Sequence, residues 1–202
     1  LAKADLISDL VREFPDLQGI MGGYYANKDG ELGEISKGIS QHYRPNQSGG
    51  ELPDGYVASS VALADKIDTL TGLFGIDQPP SGSKDPYALR RHSLGIIRIC
   101  IENELSLDVV DCIKVSADLY DKGFNIDKVV VYITERLHGY YNKLGRTKDI
   151  IDAAIGGQEK SMNLRKLNEV IDALSEFKSS PISESIVSTN KRVVNILGKA
   201  DK

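Results

Sequence analysis

Apolar residues three and four positions apart recur along most of this chain, and that spacing belongs to the helix rather than to the strand. An all-α fold is therefore expected. Over 1–14, Leu6, Leu10 and Phe14 step inward at four-residue intervals, and Pro15 ends the run because the residue before a proline is driven out of the α region. Helices follow over 17–26, 31–42 and 57–74, the last with Val61, Ala64, Ile67 and Leu70 or Thr71 as its inner face. Asn27 to Gly30 reads as a turn, 46–55 as a polar loop, and 75–83, with Pro79-Pro80 and Gly82, as a rigid connector. Beyond Asn103 the pattern predicts helices over 108–120, 126–143, 147–155, 163–177 and 183–197. Val129 to Ile133 has the residue types of a strand, but no partner strand is in sight, so helix is the reading there. Two helical units are expected, 1–80 and 81–202, with a shared core between them open at this point.

The segment from Asp85 carries the densest charge. Asp85 suits an N-cap and Pro86 the first helical position, so the helix is expected to start at Asp85. Leu89, Ser93, Ile96, Ile97 and Cys100 then form the buried stripe, with Arg91 and Arg98, two turns apart, roughly opposite it and facing solvent or a ligand. From Lys84 to Arg98 four cations (Lys84, Arg90, Arg91, Arg98) stand against the one acid Asp85, in a chain whose net charge is −4. Phosphate contacts depend on such clusters rather than on net charge. Lys84 would add charge where free helix N–H groups favour anions. A bland reading stands beside this one: the arginines solvate the helix or pair with Glu102 and Glu104. A weaker cluster is Lys191-Arg192, flanked by Asn190 and near Asn195.

Two cysteines, Cys100 and Cys112, are too few for a disulfide framework and fit small buried thiols in a reducing, cytoplasmic setting. No run approaches the about 18 consecutive apolar residues of a membrane span, so no membrane partner is expected. The chain starts at Leu1 inside a patterned segment and reads as an internal piece of a longer protein. His42, His92 and His138 each lack a second ligand at metal spacing and are expected at surfaces or helix ends; His92, directly after Arg90 and Arg91, is the one a helical turn could present to a phosphate. There is no phosphate loop, nucleophile elbow or Cys-x-x-Cys pair. Gly19-Ile20-Met21-Gly22-Gly23 reads as close helix packing rather than phosphate binding.

Four stretches carry a family likeness: the Gly82-Ser83-Lys84-Asp85-Pro86 turn with its helix; Lys3-Ala4-Asp5-Leu6 through Phe14-Pro15-Asp16-Leu17-Gln18-Gly19 to Tyr25-Ala26; Ala62 to Leu70; and Thr189 to Leu197. Together they resemble the beta subunit of bacterial glycyl-tRNA synthetase, the form with separate alpha and beta subunits, densely over 3–101 and sparsely over 103–188. Within Lys3 to Phe74 the helix order and acids also look like an HD domain, the scaffold of metal-dependent phosphohydrolases. The paired His-Asp position reads Ala4-Asp5, Asp65 stands for the late Asp, and the leading His would precede Leu1. Two carboxylates without imidazole make a poor transition-metal site, so no bound metal is expected at these vestigial positions. The resemblance implies a degenerate HD-like bundle with a second helical unit packed on it, leading toward an anticodon-binding domain beyond Lys202. It implies a part of glycine–tRNA ligase that binds tRNA(Gly) and supports subunit architecture, with no catalytic residue of its own and inactive alone. The whole enzyme would use ATP and Mg2+, and the partners would be the alpha subunit and the other beta domains. On this reading the tRNA-binding candidates are Lys84, Arg90, Arg91, His92, Arg98, Lys191 and Arg192. The alternatives are a metal-dependent HD-type phosphohydrolase and a purely structural interaction module.

Overall fold

All five helices that periodicity predicts after Asn103 are present in the computed structural model, which describes residues 2–80, 84–120, 123–157 and 161–200. The described residues form ten α-helices and no strand: α1 Asp9–Glu13, α2 Ile20–Lys28, α3 Gly33–Gln41, α4 Tyr56–Gly75, α5 Leu89–Glu102, α6 Val109–Ala117, α7 Asp127–Lys143, α8 Lys148–Gly156, α9 Leu164–Ser179 and α10 Ser183–Ala200. Val129 to Ile133 lies inside α7. Ser81, Gly82 and Ser83 of the connector lie outside the described residues.

The core explains this order. Leu63, Ile67, Leu70 and Phe74 of α4 meet Leu89, Ile96, Ile97 and Cys100 of α5, and the same cluster continues through Ile113 of α6, Ile133 and Leu137 of α7 and Ile151 of α8 to Leu164 and Ile171 of α9. The expected α5 stripe is buried at every position, including Ser93. Burial pushes the Cys100 thiol up to about 12, as expected of an inert core thiol. Side-chain caps set two of the later helix starts: Asp108 accepts from Val110 and Asp111 N–H, and Asn163 accepts from Lys166 N–H.

The first helix departs from expectation. Ser8 accepts from Val11 N–H while its hydroxyl donates to the Asp5 carbonyl, which ends a 3-10 turn at Ile7 and restarts the chain as α1. The phase therefore changes mid-segment. Leu6, Leu10 and Phe14 lie outside at 42%, 37% and 55% exposure, and Asp5 and Val11 take the interior places. On α4 the inner face is likewise rotated: Ala64 is exposed, Val61 half-buried, and Ala62, Leu63 and Lys66 are buried beside Ile67, Leu70 and Thr71.

Gly22 and Gly23 let α2 and α3 touch. A Cβ on Gly22 would lie 2.7 Å from Ile39 Cγ2, and one on Gly23 would lie 2.8 Å from Ser40 Cβ. The glycines of that run serve helix packing, as their spacing suggested.

Candidate nucleic-acid interface

Asp85 caps α5 from four residues before it. The chain turns at Pro86-Tyr87, with Ala88 N–H donating to the Asp85 carbonyl at 3.1 Å and Ala88 left-handed at φ 55°. The Asp85 carboxylate then accepts from Leu89 N–H at 2.8 Å and Arg90 N–H at 3.0 Å. The helix thus starts at Leu89, not at Asp85, because the turn occupies the first four residues. Two of the free N–H groups expected to favour an external anion are already satisfied by Asp85.

Along α5, Arg91 is exposed and its Nη1 donates to the Asn46 carbonyl at 2.7 Å. Arg98 is different from expectation. Its Nε and Nη2 form a fork onto Glu102 at 2.8 and 3.0 Å, its Nη1 donates to the Gly50 carbonyl at 2.8 Å, and the side chain is only 15% exposed. Pairing with Glu102, the bland alternative, is what Arg98 does; the bidentate fork holds its pKa above the usual guanidinium value. The two arginines instead strap the loop after α3 onto α5. Between loop and helix lies a groove of about 380 Å³ whose lining includes Arg90, Arg91 and Arg98 and no carboxylate. Lys84 is exposed ahead of the turn, while Lys191 and Arg192 are exposed on α10, which packs on α9; none of the three lines the groove.

Beneath the groove floor sits a group that the sequence reading passed over. Lys66 is 2% exposed, and its Nζ donates to the His42 carbonyl at 3.2 Å. Burial lowers its pKa to about 8, opposed by the Asp65 carboxylate and aided by Lys3. Its stem crosses α5 at Gly95, where a Cβ would lie 2.8 Å from Lys66 Cε and 3.5 Å from Pro45 Cδ. The signal was present in the sequence: Lys66 falls on the Ala62, Leu63, Leu70 stripe of α4. Gly95→Ala is expected to cost about 2 kcal/mol by overpacking. Because Lys66 is the clashing group, Lys66→Ala should recover at least about 1 kcal/mol of that in a double-mutant cycle followed by urea unfolding.

Two of the three histidines, His42 and His92, lie near this lysine. His42 caps the end of α3 and is fully buried; its Nδ1–H donates to the Ile39 carbonyl at 2.6 Å, and its ring lies 3.8 Å from that of Tyr43. His92 is half-buried. Desolvation first, then for His92 the Lys66 ammonium, holds both imidazoles below their ordinary pKa. His138 pairs with Asp152 at 2.7 Å on the surface.

The two acids of the HD-like pattern also have roles. Asp5 is buried, and its Oδ2 accepts from Gly19 N–H at 2.6 Å and Gly22 N–H at 3.0 Å, closing the start of α2. Asp65 pairs with Lys3, whose ammonium also lies 5.7 Å from the Tyr43 ring centroid. Among the described residues, no three His, Cys, Asp or Glu side chains assemble as metal ligands.

The family model described as glycyl-tRNA synthetase beta subunit matches residues 1–156 of this chain. The glycine–tRNA ligase beta subunit of Aromatoleum aromaticum is 42% identical over 206 residues, covering 100% of this chain and 29% of that protein. The beta subunit of Tolumonas auensis is 40% identical over 205 residues, covering 100% of this chain and 29% of its own length. That of Actinobacillus succinogenes is 44% identical over 203 residues, covering 98% of this chain and 29% of its own length. The chain spans less than a third of the length of these relatives.

Proposed function

Because the chain belongs to the glycyl-tRNA synthetase beta subunit family, we propose that it serves glycine–tRNA ligase as a segment that holds tRNA and supports the beta architecture. The observation that carries this reading is the groove between α5 and the loop after α3, which is lined by three arginines and by no carboxylate. Guanidinium groups suit backbone phosphates, fixing register without reading sequence. In this reading glycine activation with ATP and Mg2+ belongs to the alpha subunit, a partner in the cytoplasm. No helix among the described residues is long and apolar enough to cross a membrane. The residue types support no phosphohydrolase chemistry at the HD-like positions: Ala4 stands where an imidazole is needed, Asp5 caps α2, and Asp65 pairs with Lys3.

The arginines are not equivalent in this reading. Arg98 is held by Glu102 and Gly50, so Arg98→Ala should loosen the loop more than it weakens RNA binding. Alanine at Arg90 and Arg91 together, in the intact synthetase, is expected to weaken tRNA(Gly) binding about tenfold and to reduce the slope of log affinity against log salt by one to two, roughly one per phosphate contact. Filter binding across a salt series measures both. An unchanged slope and affinity would remove the tRNA role and leave the structural-module reading.

A further inference from the structure

The groove has more than cations in it. From α5 it is lined by Leu94 and Gly95 beside the arginines, and from the loop by Pro45, Gln47 and Ser48. We infer that this groove receives one unstacked nucleotide of a bound RNA, its base against Pro45 and Leu94, its edge toward Gln47 and Ser48, and its phosphate toward Arg91. The inference deepens the tRNA reading and rests on it.

Three observations favour a nucleotide over a ridge of duplex phosphates. A phosphate ridge needs only a row of cations, whereas this site is a recess of about 380 Å³, within the range of about 300–1,000 Å³ typical of small-ligand pockets. The recess is also built in advance. Arg91 holds the Asn46 carbonyl, Arg98 holds the Gly50 carbonyl, and Gly50 N–H closes a turn onto the Gln47 carbonyl at 3.0 Å, so the wall bearing Gln47 and Ser48 is fixed at both ends. The charge is one-sided, because Glu102 is engaged by Arg98 and Glu51 pairs with Arg44, and neither lines the groove. Proteins that read single-stranded or looped RNA combine an apolar or planar rest for the base with hydrogen-bonding groups at its edge and a cation at its phosphate.

The test uses the intact synthetase and a series of tRNA(Gly) transcripts that each lack one base. Ser48 is exposed, so Ser48→Leu fills the groove without disturbing the core or the arginines, and an unchanged thermal melt verifies this. Wild-type enzyme should bind one abasic transcript about tenfold more weakly than the intact tRNA. Ser48→Leu should bind intact tRNA about tenfold more weakly and should lose nothing further on that same abasic transcript. Gln47→Ala, which keeps the groove open, should lose a few-fold at the same position. If no abasic position distinguishes wild type from Ser48→Leu while the Arg90 and Arg91 variant still weakens binding, the nucleotide inference fails and the tRNA reading survives. If neither variant weakens binding, both fail. Should Ser48→Leu weaken capture of a polyglutamate peptide and leave RNA untouched, the groove takes an acidic protein segment and the inference is overturned.

Discussion

Asp5→Ala is expected to destabilise the chain by about 4 kcal/mol, because it strands two buried N–H groups, those of Gly19 and Gly22, that a charged acceptor now satisfies. The replacement leaves no local substitute. A Cβ on Gly22 would already lie 3.2 Å from Asp5 Oδ2, so in the native fold the carboxylate packs directly against α2. For a chain of this size the loss corresponds to a fall in Tm of roughly 8–16 °C. Calorimetry reads the shift, and amide exchange locates it: protection at Gly22 and Gly23 should drop before protection in α4 or α5, since α2 and α3 pack against each other outside the main core cluster. Asp5→Asn keeps one acceptor and should cost about half as much. If Asp5→Ala melts with the wild-type protein, the carboxylate is not the cap of α2 that its hydrogen bonds describe.

That carboxylate marks where sequence pattern stops being informative. Helices set by their own neighbours were legible: Asp108 and Asn163 were placed at helix starts and cap α6 and α9, and α7 forms despite its β-branched run. At Ser8 the pattern misled, since a four-residue apolar spacing continues across the break and only the hydroxyl's two hydrogen bonds reset the phase. Arg98 was read as outward for a different reason. Its carbonyl partner, Gly50, is 48 residues away, and no local spacing shows that a loop returns to that helix face. The groove was hidden for the same cause: its cations could be counted in the sequence, but the wall of Pro45, Gln47 and Ser48 that gives it depth comes from a separate segment. The basic segment could therefore be found from sequence, while the recess it borders required the fold.

Lys66 supplies a pH-dependent consequence of that long-range packing. Unfolded, its ammonium titrates near 10.5; folded, burial brings it to about 8. Below pH 8 the side chain is protonated in both states and the full cost of burying the charge is present. Between 8 and 10.5 the folded chain has released a proton that the unfolded chain still binds, so stability rises with pH, by about 3 kcal/mol across the window. Lys66→Met keeps the length of the stem over Gly95 and removes the charge. Allowing for the hydrogen bond lost at the His42 carbonyl, it should stabilise the protein by about 2 kcal/mol at pH 7. Its advantage should then shrink to nothing as pH approaches 10. The tyrosines work in the opposite direction: Tyr43, Tyr120 and Tyr140 are held up at about 12 in the fold, so unfolded tyrosines ionise first and stability falls above pH 10. The difference between the wild-type and Lys66→Met urea midpoints at pH 7, 8, 9 and 9.5 cancels that contribution and isolates the lysine. Parallel curves over this range would mean that the Lys66 nitrogen keeps its proton and its hydration, and that its surroundings are wetter than the 2% exposure of Lys66 implies. Converging curves would place an uncharged lysine under Gly95 in mildly alkaline solution, leaving the arginines of α5 as the cations that line the groove.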